Sequence, residues 1–355
     1  MKFVTVKRDC SAFQPPLTQQ QLTQLCRRAF ADQAGNGDQC EMQASEQLFT
    51  GKFNTTYRID LANHRQVILR VAPPASAPLF IHEKKMLQRE HTVQPALTVI
   101  TDHLPKTLFA DFSKQLIDRD YVFLSFKQGE LWDDIKEQLQ PEHNLQLWQQ
   151  LGSLVKKIHA VKGSAFGMPS PMPQHSRWSE ALISNIEGMR SDLERFGVTV
   201  GDSRLLLDLL HKGRGILDAI DHPVLLHGDL WPKNILIDRS GKEPKISALL
   251  DSERAFWGDP AAEWIFSYLD IPQSFWQAYG NDFSESQLSE QALFRHKAYE
   301  SKGAIQLVLE GWRFNFDTDF ARIILADALS CMSTIIKNHP SITSLGGDSG
   351  SPFSG

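Results

Sequence analysis

The chain has 355 residues, enough for about two ordinary domains, and its 37 Lys and Arg against 42 Asp and Glu leave a formal net charge of −5. That mildly acidic balance argues against bulk nucleic-acid binding, which needs basic surface to displace counterions from phosphates. The 41% hydrophobic and 22% charged fractions suit a globular core, and no apolar run nears the roughly 20 residues that span a bilayer. The start, MKFVTVKRDC, has no apolar secretion signal, and Cys10, Cys26, Cys40 and Cys331 form no CxxC pair, so reduced thiols in a cytoplasmic protein are expected.

Residues 1–40 are polar and Gln-rich, with one helix predicted over about 18–34. Leu22, Leu25, Cys26 and Ala29 fall on one face there, and Thr18 after Pro15-Pro16 suits an N-cap. From Glu46 to Val71 the pattern turns to strands: QLFTGKFNTTYRIDL reads as strand, glycine turn and strand, and NHRQVILRV adds a third. Pro73-Pro74 and Pro78 break the chain. A helix is expected over 80–90, then strands near 97–101 and 121–126. Beyond Gly129 helices are expected at 131–138, 145–161, 179–196 and 202–220. The apolar strand VLLHGDL, a loop, and the strands ILID and KISALLD follow, the last two joined by a turn at Ser240-Gly241. Helices resume over 261–338, and 341–355 reads as a disordered tail. The order gives an α+β chain of two lobes: an antiparallel-sheet lobe at 1–124, a connection at 125–130 and a mainly helical lobe at 131–340.

HGDLWPKNILID, residues 227–238, places His, Asp, Trp, Lys and Asn in a loop between apolar strands, where functional groups concentrate. Asp229 and Asn234 stand five residues apart, and Asp251 ends the next hairpin's second strand. A hairpin returns its ends to one place, so Asp229, Asn234 and Asp251 can converge. Two carboxylates and an amide oxygen are hard ligands that suit Mg²⁺ with nucleotide phosphates and do not suit zinc.

H-x-D-x-x-x-x-N followed by a strand-borne Asp resembles the signature of the aminoglycoside phosphotransferase and choline kinase family, whose members share the protein-kinase fold. The likeness extends to FTGKFNTTYRI as the phosphate-covering hairpin, VILRV as the strand with the phosphate-contacting base, HEKKML as the helix with its glutamate partner, YVFLSFKQGE as the hinge, LVKKIHA before the catalytic strand, and FWGDPAAEW. The resemblance implies a two-lobed kinase-like fold and an ATP- and Mg²⁺-dependent phosphotransferase acting on a small-molecule hydroxyl. Asp229 would be the catalytic base, and Asn234 and Asp251 the metal ligands. Arg70 would clamp the phosphates, held by Glu83. Thr50 and Asn54 would contact phosphate, and main chain at Ser125, Phe126 and Lys127 would take the adenine. His227 and Asp259 would brace the site.

The chain departs from protein kinases in four places. Its strand base is Arg70 rather than Lys, a planar fork in place of a point charge. Its turn has the single glycine Gly51. Trp231 stands two after Asp229. Asp251 is followed by Ser-Glu, with Gly258 seven residues on, which leaves no room for an activation loop. Trp231, Trp264 and Glu263 are candidate substrate residues, since aromatic walls with carboxylates suit a cationic or polyhydroxy molecule. An ordinary helix face with surface acids accounts for the same pattern. A catalytically silent nucleotide-binding protein of this fold is the alternative, and retention of all three of Asp229, Asn234 and Asp251 speaks against it.

Overall fold

The structure is a computed structural model that describes residues 2–4, 13–30, 41–48 and 51–339. Thr50, Cys10, Cys40 and the expected tail at 341–355 lie outside the described residues. Two compact units form: the described parts of Met1–Leu79, Lys85–Leu147 and Trp231–Arg254 in one, and those of Phe80–Lys84, Trp148–Leu230 and Ala255–Gly355 in the other. Residues 131–147 and the hairpin after Trp231 thus cluster with the N-terminal sheet.

Strand β1 (Lys2–Val4) comes first, then helix α1 (Gln19–Phe30). Thr18 caps that helix: its Oγ1 accepts from Gln21 N at 3.2 Å while Gln21 Oε1 accepts from Thr18 N at 2.9 Å, a reciprocal capping box. Strands β2 (Met42–Leu48), β3 (Thr55–Leu61) and β4 (Gln66–Val71) follow as an antiparallel meander. Tyr57, Ile59 and Leu61 alternate inward along β3 and meet Leu22, Leu25 and Phe30 of α1, which is why the helix lies on this sheet.

The helix expected over 80–90 is broken. Ile81–Glu83 make a 3-10 turn, Lys84 is extended and Lys85 has φ 58°, so helix α2 starts afresh at Met86–Val93. The strand expected near 97–101 is instead 3-10 helix at Ala96–His103, kinked at Ile100, with Leu97 and Ile100 buried three residues apart. The missing strand is β5 (Thr107–Asp111), an edge paired to β6 (Tyr121–Ser125). The six-stranded sheet runs β1-β2-β3-β4-β6-β5, with β1 parallel to β2 and the rest antiparallel.

Next come β7 (Glu130–Leu131), α3 (Trp132–Ile135) and α4 (Pro141–His159). The short strands β8 (Phe166–Gly167) and β9 (Gln174–His175) precede α5 (Trp178–Phe196). The helix expected over 202–220 divides at Gly213 into α6 (Ser203–Lys212) and α7 (Arg214–Leu217). Strands β10 (Val224–Leu226), β11 (Ile235–Asp238), β12 (Lys245–Leu249) and β13 (Phe256–Gly258) flank the HGDLWPKN segment and the hairpin. Helices α8 (Ile265–Tyr268), α9 (Gln273–Tyr279), α10 (Glu290–Phe314) and α11 (Asp319–Asn338) complete the chain. In the second unit α5, α6, α10 and α11 share one apolar core, including Ile186, Leu206, Phe294, Val308 and Met332.

Candidate active site

In the first unit, β11 and β12 pair antiparallel with Ile235 opposite Leu249, and Leu250 N donates to Asn234 O at 2.8 Å. The hairpin thereby brings Asn234 and Asp251 to one end. Asn234 is buried, while the Asp251 side chain is 40% exposed. Asp251 has φ 60°, the left-handed region that Asp tolerates better than most residues. Its Oδ1 accepts from Arg70 Nη2 at 2.8 Å, which anchors the conformation.

Arg70 projects from β4 and is 6% exposed. Nη1 donates to both oxygens of Glu90 at 3.0 and 2.8 Å. Nη2 is shared between Asp251 and Glu253, the latter at 2.6 Å. Ser252 Oγ donates to Glu90 at 3.3 Å, and Asn54 Nδ2 donates to Glu253 Oε2 at 2.7 Å. One guanidinium therefore gathers three carboxylates. Burial works against the Arg70 charge, but Glu90, Asp251 and Glu253 outweigh it and raise its pKa. Burial pushes the Glu90 carboxyl up to about 7 against the pull of Arg70, with Glu253 adding like-charge repulsion. Glu253 is raised for the same leading reason.

One sequence assignment changes here. The carboxylate that holds Arg70 is Glu90 of α2, not Glu83. Glu83 is cut off from the helix by the break at Lys84 and Lys85; it accepts from Phe80 N at 2.8 Å and pairs with Arg313, whose guanidinium lies 3.5 Å from the Phe80 ring centre. Glu83 and Glu90 are seven residues apart and would share a face of a continuous helix, so periodicity alone could not choose between them. Asn54 gives one of its two side-chain N–H donors to Glu253. At the hinge, Ser125 N donates to Lys106 O at 2.8 Å. Lys127 Nζ donates to Asp102 O at 2.7 Å. Trp231 lies beside Lys233, whose Nζ is 4.9 Å from a Trp231 ring centre, and Lys233 in turn faces Asp133 at 3.9 Å.

In the second unit, His227 is fully buried and Asp229 half-buried. Glu263, also fully buried, does not face a substrate. Its Oε2 accepts from His227 N at 2.9 Å and its Oε1 from Gly228 N at 2.8 Å. Gly228 has φ 76°, which glycine adopts without strain. His159 Nε2 lies 3.3 Å from Glu263 Oε2 and its Nδ1 2.9 Å from the Tyr279 hydroxyl; an ionised Glu263 accepts only, so Nε2 donates and, in the neutral ring, Nδ1 accepts from Tyr279. Burial would raise the Glu263 carboxyl, but the His159 hydrogen bond, the electrostatic pull of the His159 and His227 rings and the Gly228 N–H hold it below its ordinary value. Glu263 is therefore a brace for the peptide leading into Asp229, a correction to its reading as a substrate contact. Asp259 caps the turn at Pro260–Ala262, with Oδ1 accepting from Ala261 N at 2.9 Å and Oδ2 from Tyr299 Oη at 2.7 Å and Arg295 Nε at 3.1 Å. Trp264 stacks on Tyr268 with ring centres 4.3 Å apart.

The phosphotransferase enzyme family matches residues 47–299, well over half of the chain. The chain belongs to that family. As a member it is a small-molecule kinase with a protein-kinase-like fold. No curated protein sequence matches it significantly. Among solved structures it resembles an aminoglycoside phosphotransferase-like protein from Ralstonia eutropha JMP134, at 15% identity, 91% of this chain, 98% of the other and TM-score 0.58. It also resembles a thermostable mutant of aminoglycoside phosphotransferase APH(4)-Ia in ternary complex with ADP and hygromycin B, at 19% identity, covering 92% and 99% with TM-score 0.56. A third is described as a fructosamine-3-kinase from Thermobifida fusca YX-ER1, at 17% identity, covering 88% and 99% with TM-score 0.56. Among the described residues no helix is long and apolar enough to cross a membrane.

Proposed function

We propose that this kinase transfers the γ-phosphoryl group of ATP to a hydroxyl of a small molecule such as an aminoglycoside, an amino alcohol like choline, or a sugar-like metabolite. The observation that carries the reading is the meeting of Asn234 and Asp251 at one hairpin end, with Arg70 fixing Asp251. The donor set is oxygen only and fits magnesium: the Asn234 amide oxygen and the Asp251 carboxylate oxygen that Arg70 does not hold. Magnesium, when bound, neutralises charge on the β- and γ-phosphates.

Asp229 accepts the proton of the acceptor hydroxyl as that oxygen bonds to the γ-phosphorus, whose bond to the β,γ-bridging oxygen breaks to release ADP. Glu263 holds the peptide before it, so the base is positioned before substrate arrives. Arg70 has four of its five N–H donors committed to carboxylates, so it serves first to orient Asp251. Phe126 and Lys127 offer main chain to adenine. The acceptor class is supported by the relatives solved with hygromycin B and described as acting on fructosamines, both polyhydroxylated amine-bearing molecules.

ATP consumption measured against a panel of aminoglycosides, amino alcohols and amino sugars, with Asp229→Ala as the blank, tests the reading. An Asp229→Ala protein as active as wild type would sink it. Nucleotide binding without turnover on any acceptor would favour the catalytically silent alternative.

A further inference from the structure

The turn between β2 and β3 has one glycine where kinase-fold phosphate loops have a run, and Gly51 does not adopt a left-handed φ. Residues 51–54 are instead held from two directions. Gln14, 2% exposed, donates its Nε2 to Gly51 O at 2.7 Å and to Asn54 O at 2.6 Å. Glu253 accepts from Asn54 Nδ2 at 2.7 Å while bonded to Arg70 at 2.6 Å. The segment around Gln14 is itself fastened to the sheet: Leu17 N donates to Tyr57 Oη at 2.7 Å, and Phe13 packs on Phe53 with ring centres 5.9 Å apart. Gln14 lies before the family match, which begins at residue 47.

We infer that Gln14 and Glu253 are positioning residues that clamp residues 51–54, ahead of β3, into a preformed phosphate-binding stretch, in place of a glycine-rich run. The inference rests on the nucleotide-binding reading of the site. A planar trans peptide points its N–H opposite to its C=O. Fixing the Gly51 carbonyl on Gln14 therefore also fixes the direction of the Lys52 N–H, away from Gln14. Glu253 links the same turn through Arg70 to Asp251, the proposed metal ligand, so loop and metal ligand share one anchor. A loop ordered before nucleotide arrives spends none of the binding energy on ordering. Glu253 is 6% exposed, with Oε2 taken by both Asn54 and Arg70, so it acts through those residues rather than on the nucleotide.

The test uses the full chain and three variants. Gln14→Met keeps the length and apolar packing but removes the donor. Glu253→Gln keeps an oxygen for Asn54 without the charge, and Glu253→Ala removes both. Amide hydrogen exchange over residues 51–55 is read in the free protein, and affinity for Mg·AMP-PNP by calorimetry. The KM of an acceptor found by the panel is read separately from that of ATP. Gln14→Met is expected to speed exchange in the turn and weaken nucleotide binding by on the order of tenfold, with the acceptor KM unmoved. Glu253→Ala should do the same and Glu253→Gln should recover part of the loss. Unchanged exchange in Gln14→Met overturns the clamp, whether or not nucleotide binds. Faster exchange with unchanged Mg·AMP-PNP affinity overturns its role in phosphate binding. A wild type that protects the turn yet binds no nucleotide overturns the kinase reading and, with it, the assignment of this loop. Because Glu253 belongs to the buried Arg70 cluster and its loss could unfold the chain, Gln14→Met is the deciding variant.

Discussion

The Glu263 carboxylate takes the two peptide N–H groups that lead into Asp229, and nothing in the local sequence announces that bond. In GDPAAEW it reads as one more acid near a tryptophan, and its partners stand 36 and 35 residues upstream. Glu263→Gln keeps the shape but turns one acceptor into a donor facing a buried N–H. We expect kcat to fall by about 10- to 100-fold with nucleotide affinity unmoved, since an uncompensated buried donor costs about 1–3 kcal/mol. A fall in nucleotide affinity equal to the fall in kcat would show that the brace acts on the whole fold instead. Asp229→Ala should lower turnover by on the order of 10²–10⁴ and leave Mg·AMP-PNP binding in place. Asp251→Ala should weaken that binding itself, and an unchanged affinity in the presence of magnesium would remove Asp251 from the metal site. Asp229, Asn234 and Asp251 could be singled out in the sequence because their types, spacing and hairpin context agree. Glu253 and Gln14 could not, because their bonds cross 199 and up to 40 residues of chain.

At the scale of elements, strands with strong alternation and helices with clear apolar faces were the legible ones. β3, β4, β11 and the helix α5 follow their patterns closely. The 80–90 segment failed because its charges are compatible with a helix throughout, while Glu83 is drawn to Phe80 N and to Arg313 on α10. Ile81 N also donates to Asp192 of α5 at 2.6 Å, so tertiary bonds hold the turn in a shape that local propensity does not ask for. β5 was missed because no residue of it except Asp111 is buried, so its apolar signal is weak. Helix packing makes its own demand at Gly152 of α4, where an added Cβ would lie 2.4 Å from Phe275 O of α9. Gly152→Ala must push α9 away despite the better helix propensity of Ala. It is expected to destabilise the protein by about 1–3 kcal/mol, measured by urea unfolding. A variant as stable as wild type would mean that α9 shifts at no cost.

For the whole molecule, buried carboxylates set opposite pH dependences: burial raises Glu90 and Glu253, while its partners hold Glu263 down. Glu90 lies at about 7, above its ordinary 4.5, so the native state holds a proton that the unfolded chain has released. Its contribution to stability is full below about 4.5 and is lost as pH rises through 7. Glu263 is held below its ordinary value, so its contribution is present above that value and is lost as pH falls through its lowered one. The thermal midpoint should therefore decline between pH 5 and 7.5 in wild type (an interval set by the Glu90 shift) and decline less in Glu90→Gln. An identical slope in the two proteins would remove Glu90 as its source.

Composition, period and spacing by themselves determined the α+β character and the hairpin that ends at Asp251, and the residues from His227 to Asp251 carried the resemblance to the family. These are properties of residue type at short separation, and short-range sterics and burial suffice to express them. Only the tertiary structure decided that Glu90 rather than Glu83 holds Arg70, that Glu263 braces the peptide leading into Asp229, and that Gln14 and Glu253 hold residues 51–54. Each of those choices is made by a buried polar group seeking its partner. A desolvated donor or acceptor takes whichever complementary atom the packed chain brings within about 3 Å, and sequence distance has no say in which one that is.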